Sequence, residues 1–531
     1  MLPCVLFEDD DLLVVSKPAG MNTHAPGPFA GEGLYDWLRG REPRWGSLAI
    51  IHRLDKETSG VMVFAKSPRA NRSLTEQFTQ RTVSKKYLFL TDRPAPAGEF
   101  TARSALVRVG ERYVSRPPHA GADLAETVFA RSSPDQPPGA TPPLIGMQAR
   151  PLTGRTHQIR VQAAEAGFPV LGDTLYGGTP TGRLCLHAAE LAFCHPATGE
   201  NLVFQAPVDF EADARLSLRG ALMDPEATNA WRVLHGASDG SAGWYVDRLG
   251  EYLLSQNEQS LTVGQREILA RLVSRLGARG VHHKFLNRTV RGAAPESASP
   301  QVILGEPAPE RFTVLENGLV FELSFEEGYS VGLFLDQRDN RRRLLIRHVA
   351  AEFDLPPGVE VLNTFAYTCG FSVAAAKGGA HVTSLDLSKK YLEWGRRNLV
   401  HNGLDPAAHE FIYGDTFDWL RRLGRKGRSF DLILLDPPTF SQSKASGTFQ
   451  AKRDYGRLAQ AALLLLKAGG VLFASTNAGD WPPEDFLDTL EEAARAARRT
   501  ITRRHYAPQP PDFPVSRAEP AYLKTVWLQM A

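Results

Sequence analysis

The residues best suited to chemistry stand where short polar stretches interrupt apolar runs. Asp55 lies in Ile50-Ile51-His52-Arg53-Leu54-Asp55-Lys56-Glu57-Thr58-Ser59-Gly60-Val61-Met62-Val63-Phe64-Ala65. The pattern predicts a strand end, a loop carrying Asp55, and a buried Val-rich strand after Gly60. A carboxylate on a loop between core strands is well placed to act on a substrate. An isolated Asp also caps turns, or here pairs with Arg53. In residues 150–162, a turn at Thr153-Gly154 predicts a helix presenting Arg155, His157 and Arg160. Three such donors suit a phosphate or carboxylate partner, or a salt-bridged helix start. Further on, Asp386, Asp415 and Asp436 each close an apolar run, and residues 363–370 form a loop after another. Each Asp alone is equally a helix N-cap.

The elements behind these residues change character along the chain. Residues 75–79 read as helix and 85–90 and 202–205 as strands, with a Pro-rich surface excursion at 133–143. Residues 209–228 read as a helical linker. A small α+β module follows: a hairpin around 243–255, a helix at 265–276, and strands near 282–287, 311–316 and 320–325. Strands at 359–363, 381–386, 411–415, 431–436 and 471–475 then alternate with helices at 371–377, 389–402 and 455–466. That alternation predicts a doubly wound, mostly parallel sheet, whose ligand sits beyond the carboxyl ends of the strands. The loop 363–370, Asp386, Asp415 and Asp436 would then meet at one crevice. The loop lacks G-x-G-x-x-G spacing, which disfavours a nicotinamide or flavin dinucleotide.

Size and composition bound the rest. A chain of 531 residues, 43% hydrophobic and 23% charged, calls for several ordinary globular domains. No apolar run approaches the roughly 20 residues that span a bilayer. The N-terminus shows no targeting leader, and four scattered cysteines without a CxxC pair fit a cytoplasmic protein with neither disulfides nor a metal centre. Net charge is +2, so composition does not advertise nucleic acid. Two basic clusters, Arg341-Arg342-Arg343 and Arg421-Arg422 with Arg425, Lys426 and Arg428, read as solvated helix faces.

Several of these motifs together resemble a known family. His52-Arg53-Leu54-Asp55 with Thr58-Ser59-Gly60, Lys85 and Tyr87, the run Gly154-Arg155-Thr156-His157-Gln158-Ile159-Arg160, Gly172-Asp173 with Leu175-Tyr176-Gly177, and Leu186-His187-Ala188 match RluA-type pseudouridine synthases in order. The resemblance implies that Asp55 is the nucleophilic carboxylate, Tyr87 packs on the base and Arg155 pairs with Asp55. Arg53 would help hold the place of the flipped nucleotide. The implied isomerisation needs neither cofactor nor metal. Many members carry a small RNA-binding domain ahead of the catalytic one, whereas here the catalytic pattern begins within the first residues, so substrate selection is expected from loops or from the C-terminal part.

Residues 228–531 resemble RlmI/RlmK-like class I S-adenosylmethionine-dependent rRNA methyltransferases. The matching motifs include Ser238-Asp239-Gly240 with Gly243-Trp244-Tyr245-Val246-Asp247-Arg248, Gly332-Leu333-Phe334-Leu335-Asp336-Gln337-Arg338, and Asp436-Pro437-Pro438-Thr439-Phe440. The resemblance implies S-adenosyl-L-methionine held by Phe334, Asn363, Phe365, Tyr367, Gly370, Asp386 (ribose), Asp415 (adenine amine) and Asp436. Asp436, Pro437, Pro438 and Phe440 would receive the target base. Cys369 departs from the Gly of many relatives.

The expected architecture is multidomain. Residues 1–210 form an α+β synthase domain with a mixed, largely antiparallel sheet, and 211–227 a linker. Residues 228–326 form a small α+β module, and 327–531 a Rossmann-like α/β methyltransferase domain. The expected protein is a bifunctional RNA-modifying enzyme acting on ribosomal rather than transfer RNA. RlmI-like cytosine enzymes carry an activating Cys just after the fifth strand, where residues 474–479 hold none here. The resemblance to the RlmK-like group therefore makes a guanine nitrogen the preferred methyl acceptor. Methylation of cytosine carbon five or of DNA, and a non-catalytic C-terminal module, stay open as alternatives.

Overall fold

The computed structural model describes residues 2–31, 33–118, 124–132, 144–286, 299–326, 330–443 and 447–531. The Pro-rich excursion at 133–143 and the end of the strand expected at 282–287 lie outside the described residues. The chain packs into two compact units. The first comprises Met1–Pro26, Gly33–Asp36 and Ser47–Asp224, the second Gly27–Glu32, Trp37–Gly46 and Pro225–Ala531.

In the first unit, strands run in the spatial order Val5–Glu8, Leu12–Lys17, Ser59–Ala65, Leu186–Cys194, Ser84–Thr91, Ile145–Pro151, Leu124–Arg131, Phe100–Val109 and Arg112–Arg116. Pairing is antiparallel except between Ser59–Ala65 and Leu186–Cys194. Ser59–Ala65 is buried along its whole length, as a run of Val and Phe covered on both faces should be. The parallel crossing leaves no room for a side chain at Gly60. Its φ is +123°, and a Cβ there would stand 2.2 Å from the Ala188 carbonyl oxygen. The helix Pro68–Gln80 starts with a Ser67 hydroxyl accepting from the Ala70 N–H and a proline in its first turn, and buries Ala70 and Leu74 against Val61 and Val63. The helix Ala214–Leu222, within the stretch expected as a linker, packs with this unit. Leu222 is fully buried, and the Cys4 N–H donates to the Ala221 carbonyl at 3.0 Å.

The second unit holds a five-stranded sheet in chain order, Ala230–His235, Trp244–Leu249, Tyr252–Asn257, Gly280–Phe285 and Gln301–Gly305. The expected hairpin is its second and third strands, and the helix Val263–Leu276 makes its parallel crossover. A seven-stranded sheet follows, in the order Glu410–Tyr413, His381–Asp386, Glu360–Thr364, Phe430–Leu435, Leu466–Thr476, Lys524–Met530 and Ile501–Ala507. The first five are parallel. The last two add antiparallel pairs at one edge, beyond the five strands expected. Strand order reverses between Glu360–Thr364 and Phe430–Leu435, so a crevice opens past their carboxyl ends.

Candidate active sites

Asp55 stands in a cleft of about 1040 Å³ in the first unit. Its loop is held from behind: Thr23 Oγ1 donates to the Leu54 carbonyl at 2.9 Å and accepts the Leu54 N–H at 3.1 Å, and the Thr58 N–H donates to the Asp55 carbonyl. The fully buried Lys17 donates to the carbonyls of Pro18, Met21 and Lys56, and burial pulls its ammonium down to about 7. His52 contributes scaffolding. Its ring stacks on Phe78, Nε2 accepts the Val63 N–H at 3.2 Å, and burial drives it down to about 3, so it is neutral.

The Asp55 carboxylate, 27% exposed, has Arg160 Nη1 at 3.5 Å and His157 Nε2 at 3.8 Å. Arg160 is itself fixed by a bidentate pair with buried Asp173, at 2.7 and 2.9 Å. His157 Nδ1 lies 2.7 Å from the Tyr176 hydroxyl, which also accepts the Tyr113 N–H at 3.0 Å. Burial holds Tyr176 above its ordinary value, so its one proton goes to His157 Nδ1 and leaves Nε2–H facing Asp55. Arg155, expected as the partner of Asp55, lines the same cleft, and its N–H donates to Gln158 Oε1. The expected helix begins later than the spacing suggested. It spans Gln158–Glu165, with His157 as a left-handed N-cap at φ +57° and Arg155 in the preceding turn. Tyr87 lines the cleft from the strand Ser84–Thr91, its hydroxyl kept protonated by burial and the charge of Asp55. Arg53 is exposed on the rim. Cationic side chains on the cleft wall are Arg53, Lys56, Arg81, Lys85, Arg155 and Arg160. Asp55 is the one carboxylate among the described lining residues.

His187, from the last matching motif, is a brace. Its Nε2 donates to the Ala206 carbonyl at 3.0 Å, so Nδ1 accepts from Ser59 at 2.8 Å across the parallel crossing.

The strand-end acids of the second unit follow the carboxyl ends of neighbouring parallel strands. Asp386 Oδ2 accepts the Tyr367 N–H at 2.8 Å and Oδ1 the Ser388 N–H at 2.8 Å, and burial raises its carboxyl. The loop 363–370 winds through left-handed residues at Phe365, Tyr367 and Cys369. Asn363 Nδ2 donates to Ser372 at 2.8 Å. Gly370 opens the helix Gly370–Lys377, close against Leu333 and Arg341. Phe334 is 50% exposed, with its ring 5.4 Å from that of Tyr367. Asp415 caps the helix Thr416–Arg425 through the Asp418 N–H. A half-exposed aromatic ring, a carboxylate with free lone pairs and a second strand-end acid suit a ligand with an apolar body, hydroxyls and an amine.

Asp436 sits beneath this crevice. Gln337 Nε2 donates to both its oxygens at 3.3 Å and to Ser475 Oγ at 2.8 Å. Burial, reinforced by the nearby charge of Asp336, pushes Asp436 up to about 6. Asp336 accepts from Tyr522 at 2.8 Å. Tyr455 donates to the Leu435 and Ser475 carbonyls and locks the strands on either side. Pro437 is buried, while Pro438, Thr439 and Phe440 are exposed, Phe440 opening a hairpin with Gly447–Gln450. Thr439 Oγ1 donates to Asn477 Oδ1 at 2.6 Å. Among the described residues no cluster suits a metal, and no helix is long and apolar enough to cross a membrane.

Fold and crevice define a class I methyltransferase, preceded by a domain of separate chemistry. A family model of S-adenosylmethionine-dependent methyltransferases matches residues 259–528, and one of RNA pseudouridylate synthases matches residues 11–165. The chain belongs to the S-adenosylmethionine-dependent methyltransferase family and carries an N-terminal pseudouridine synthase domain, making S-adenosylmethionine its cofactor. It is 36% identical to a ribosomal RNA large subunit methyltransferase of Deinococcus radiodurans over 60% of this chain and 78% of the relative. It is 31% identical to ribosomal RNA large subunit methyltransferase I of Aeromonas hydrophila over 71% and 91%. A crystal structure of SMU.776, described as a methyltransferase and complexed with SAH, matches with TM-score 0.50 and 30% identity, covering 57% of this chain and 76% of that one.

Two expectations need adding to. Arg160 and His157 face Asp55 and are held there by Asp173 and Tyr176, residues that the sequence marks only as motif letters or unassigned donors. Their pairing spans up to 105 residues of sequence and has no local signal. Asp336 and Gln337, beside Asp436, were likewise motif letters without a role.

Proposed function

We propose that this chain converts uridine to pseudouridine at Asp55 and methylates a base nitrogen at Asp436, both in RNA and with ribosomal RNA the intended substrate. The observation that carries the first half is one carboxylate among six Lys and Arg side chains in a cleft wide enough for an extruded nucleotide. Asp55 attacks as the nucleophile while Arg160 and His157 hold its oxygens. The carbon–nitrogen glycosidic bond breaks, the base turns, and a carbon–carbon bond forms. The proton leaves carbon five and a nitrogen regains one, without net redox change. Tyr87 packs against the base and Arg53 holds the strand at the rim. Arg155 takes a phosphate or supports Asp55 from the cleft wall.

In the second half, S-adenosylmethionine supplies the activated methyl group. Phe334, Asn363, Phe365, Tyr367, Gly370, Asp386 and Asp415 form its binding crevice. Asp436 and the Pro437 and Pro438 carbonyls accept from the amino group of the flipped base, and Phe440 covers its face. Nitrogen is favoured over cytosine carbon five because no thiolate is available. Cys4, Cys185 and Cys194 lie in the first unit, and burial pushes Cys369 up to about 12. Asn477 meets the Asp436–Phe440 loop where an attacking thiol would be wanted. Guanine is the expected base, and the reaction takes place in the cytoplasm.

The test is mass spectrometry of nucleosides from cells lacking the protein, complemented with wild type, Asp55→Ala or Asp436→Asn. Asp55→Ala restores a methylated guanosine without the pseudouridine, and Asp436→Asn the reverse. Loss of both marks in either variant refutes separate sites, and recovery of 5-methylcytidine refutes the nitrogen assignment.

A further inference from the structure

The two basic clusters of the sequence fare differently in the fold. Arg341 makes a bidentate pair with buried Glu316 at 2.6 and 2.7 Å, Arg342 donates to the Arg41 carbonyl and Glu42, and buried Arg343 donates to the Val349 carbonyl. That cluster is used up inside the second unit. The other is not. The helix Thr416–Arg425 buries Leu420 and Leu423, which turns Arg421, Arg422, Arg425 and the following Lys426 outward, all exposed.

Asp418 offsets part of this charge, meeting Arg422 at 2.7 Å and Arg421 at 3.4 Å. Arg425 and Lys426 meet no carboxylate among the described residues. A helix C-terminus favours a cation or two in its last turn, but four basic side chains exceed that need and repel one another. An aromatic ring also organises the group. The Arg422 guanidinium lies 5.2 Å and the Lys426 ammonium 5.8 Å from the Trp419 ring centroid. Trp419 is itself pinned: Nε1 donates to the Tyr413 carbonyl at 3.2 Å, and a Cβ on Gly414 would stand 2.2 Å from that nitrogen. Tyr413, 53% exposed, continues the surface with Lys389 5.0 Å over its ring. Cations held on aromatic rings along an exposed ridge match a nucleic-acid backbone and its bases. The same helix begins at Asp415 in the cofactor crevice, so the ridge runs from about 6 Å (Trp419) to about 16 Å (Lys426) away along the helix axis.

We propose that the outward face of this helix, with Arg421, Arg422, Arg425, Lys426 and Trp419, docks the sugar-phosphate backbone of the RNA whose base enters the methyltransferase crevice. The inference rests on the RNA-methylation reading and assigns a surface to it. The charge-reversed variant Arg425→Glu/Lys426→Glu, made in the full chain, replaces side chains that support no core. Methyl transfer from labelled S-adenosylmethionine is measured on RNA from cells lacking the protein, across a range of salt concentrations. Each phosphate contact is worth a factor of roughly three to five at moderate salt, so KM for RNA rises about tenfold or more while kcat is unchanged. The slope of log kcat/KM against log salt becomes shallower by about 1.5. Arg425→Lys keeps the charge and retains wild-type KM. An unchanged KM and slope in the reversed variant, while wild type methylates, overturns the docking surface, as does an equal loss in Arg425→Lys. A wild-type protein that methylates no RNA overturns the reading beneath it.

Discussion

Asp436→Asn should make the second unit more stable and the methyltransferase inactive. Burial and the charge of Asp336 raise the Asp436 carboxyl from 3.8 to about 6. The folded protein therefore binds this proton more tightly than the unfolded chain, and the ionised form opposes folding. The cost is absent below about pH 4, builds between pH 4 and 6, and is complete above. Two pKa units correspond to about 3 kcal/mol, and partial solvent access reduces that to about 1–3 kcal/mol at pH 7. Asparagine keeps an acceptor for Gln337 and removes the charge, so thermal unfolding at pH 7 should shift upward by about 2–6 °C, with no shift at pH 4. Methyl transfer should fall about a hundredfold or more, since the carboxylate no longer accepts from the amine. In wild type, kcat/KM for methylation should fall below pH 6, reaching about a tenth of its plateau at pH 5. Asp336→Asn should move that acid limb lower by removing the like charge. The reasoning fails if Asp436→Asn melts lower than wild type at pH 7, or if wild-type methylation is flat from pH 5 to 8.

Arg160→Met leaves the Asp173 carboxylate, 1% exposed, buried without its bidentate partner, and should destabilise the first unit by about 3–5 kcal/mol in chemical denaturation. Adding Asp173→Asn should recover much of that stability without recovering pseudouridine formation, because Asp55 has still lost its guanidinium. Gly395→Ala would place a Cβ 2.2 Å from Cys369 Sγ and should lower the thermal midpoint, and Cys369→Gly in the same chain should restore it.

The Asp55 loop and the parallel sheet were legible because their signals are local. A polar quartet between apolar runs and three acids at strand ends each fall within a few residues. What lay beyond reading was every feature made by distant pairing. Arg341 to Arg343 read as a solvated face from their charge alone, and the fold buries them because Glu316, Glu42 and the Val349 carbonyl arrive from elsewhere. The two antiparallel edge strands, Ile501–Ala507 and Lys524–Met530, flank a Pro-rich run whose course local patterning does not set. Cys369 stood out as a departure, yet its compensation, the missing side chain of Gly395 one helix away, is visible only in three dimensions.

Asp55 and Asp436 show why residue type alone could not assign the two chemistries. Both are aspartates on loops at strand ends, and both were equally readable as turn caps. Asp55 lies open to water on one side, with a guanidinium at 3.5 Å and an imidazole N–H at 3.8 Å, an accessible position that suits the proposed attack on carbon. Asp436 is sunk beneath a crevice beside a second carboxylate, and burial outweighs its hydrogen bonds from Ser475 and from Gln337 at 3.3 Å, so its carboxyl is pushed up to about 6. That poise suits a group that accepts from an amine during methyl transfer and gains nothing for a nucleophile. Exchanging the environments should exchange the behaviours. A cation introduced beside Asp436 would lower its carboxyl and weaken it as an acceptor even though the carboxylate remained. On the proposed roles, the division of labour between the two halves rests on the neighbours supplied by each fold.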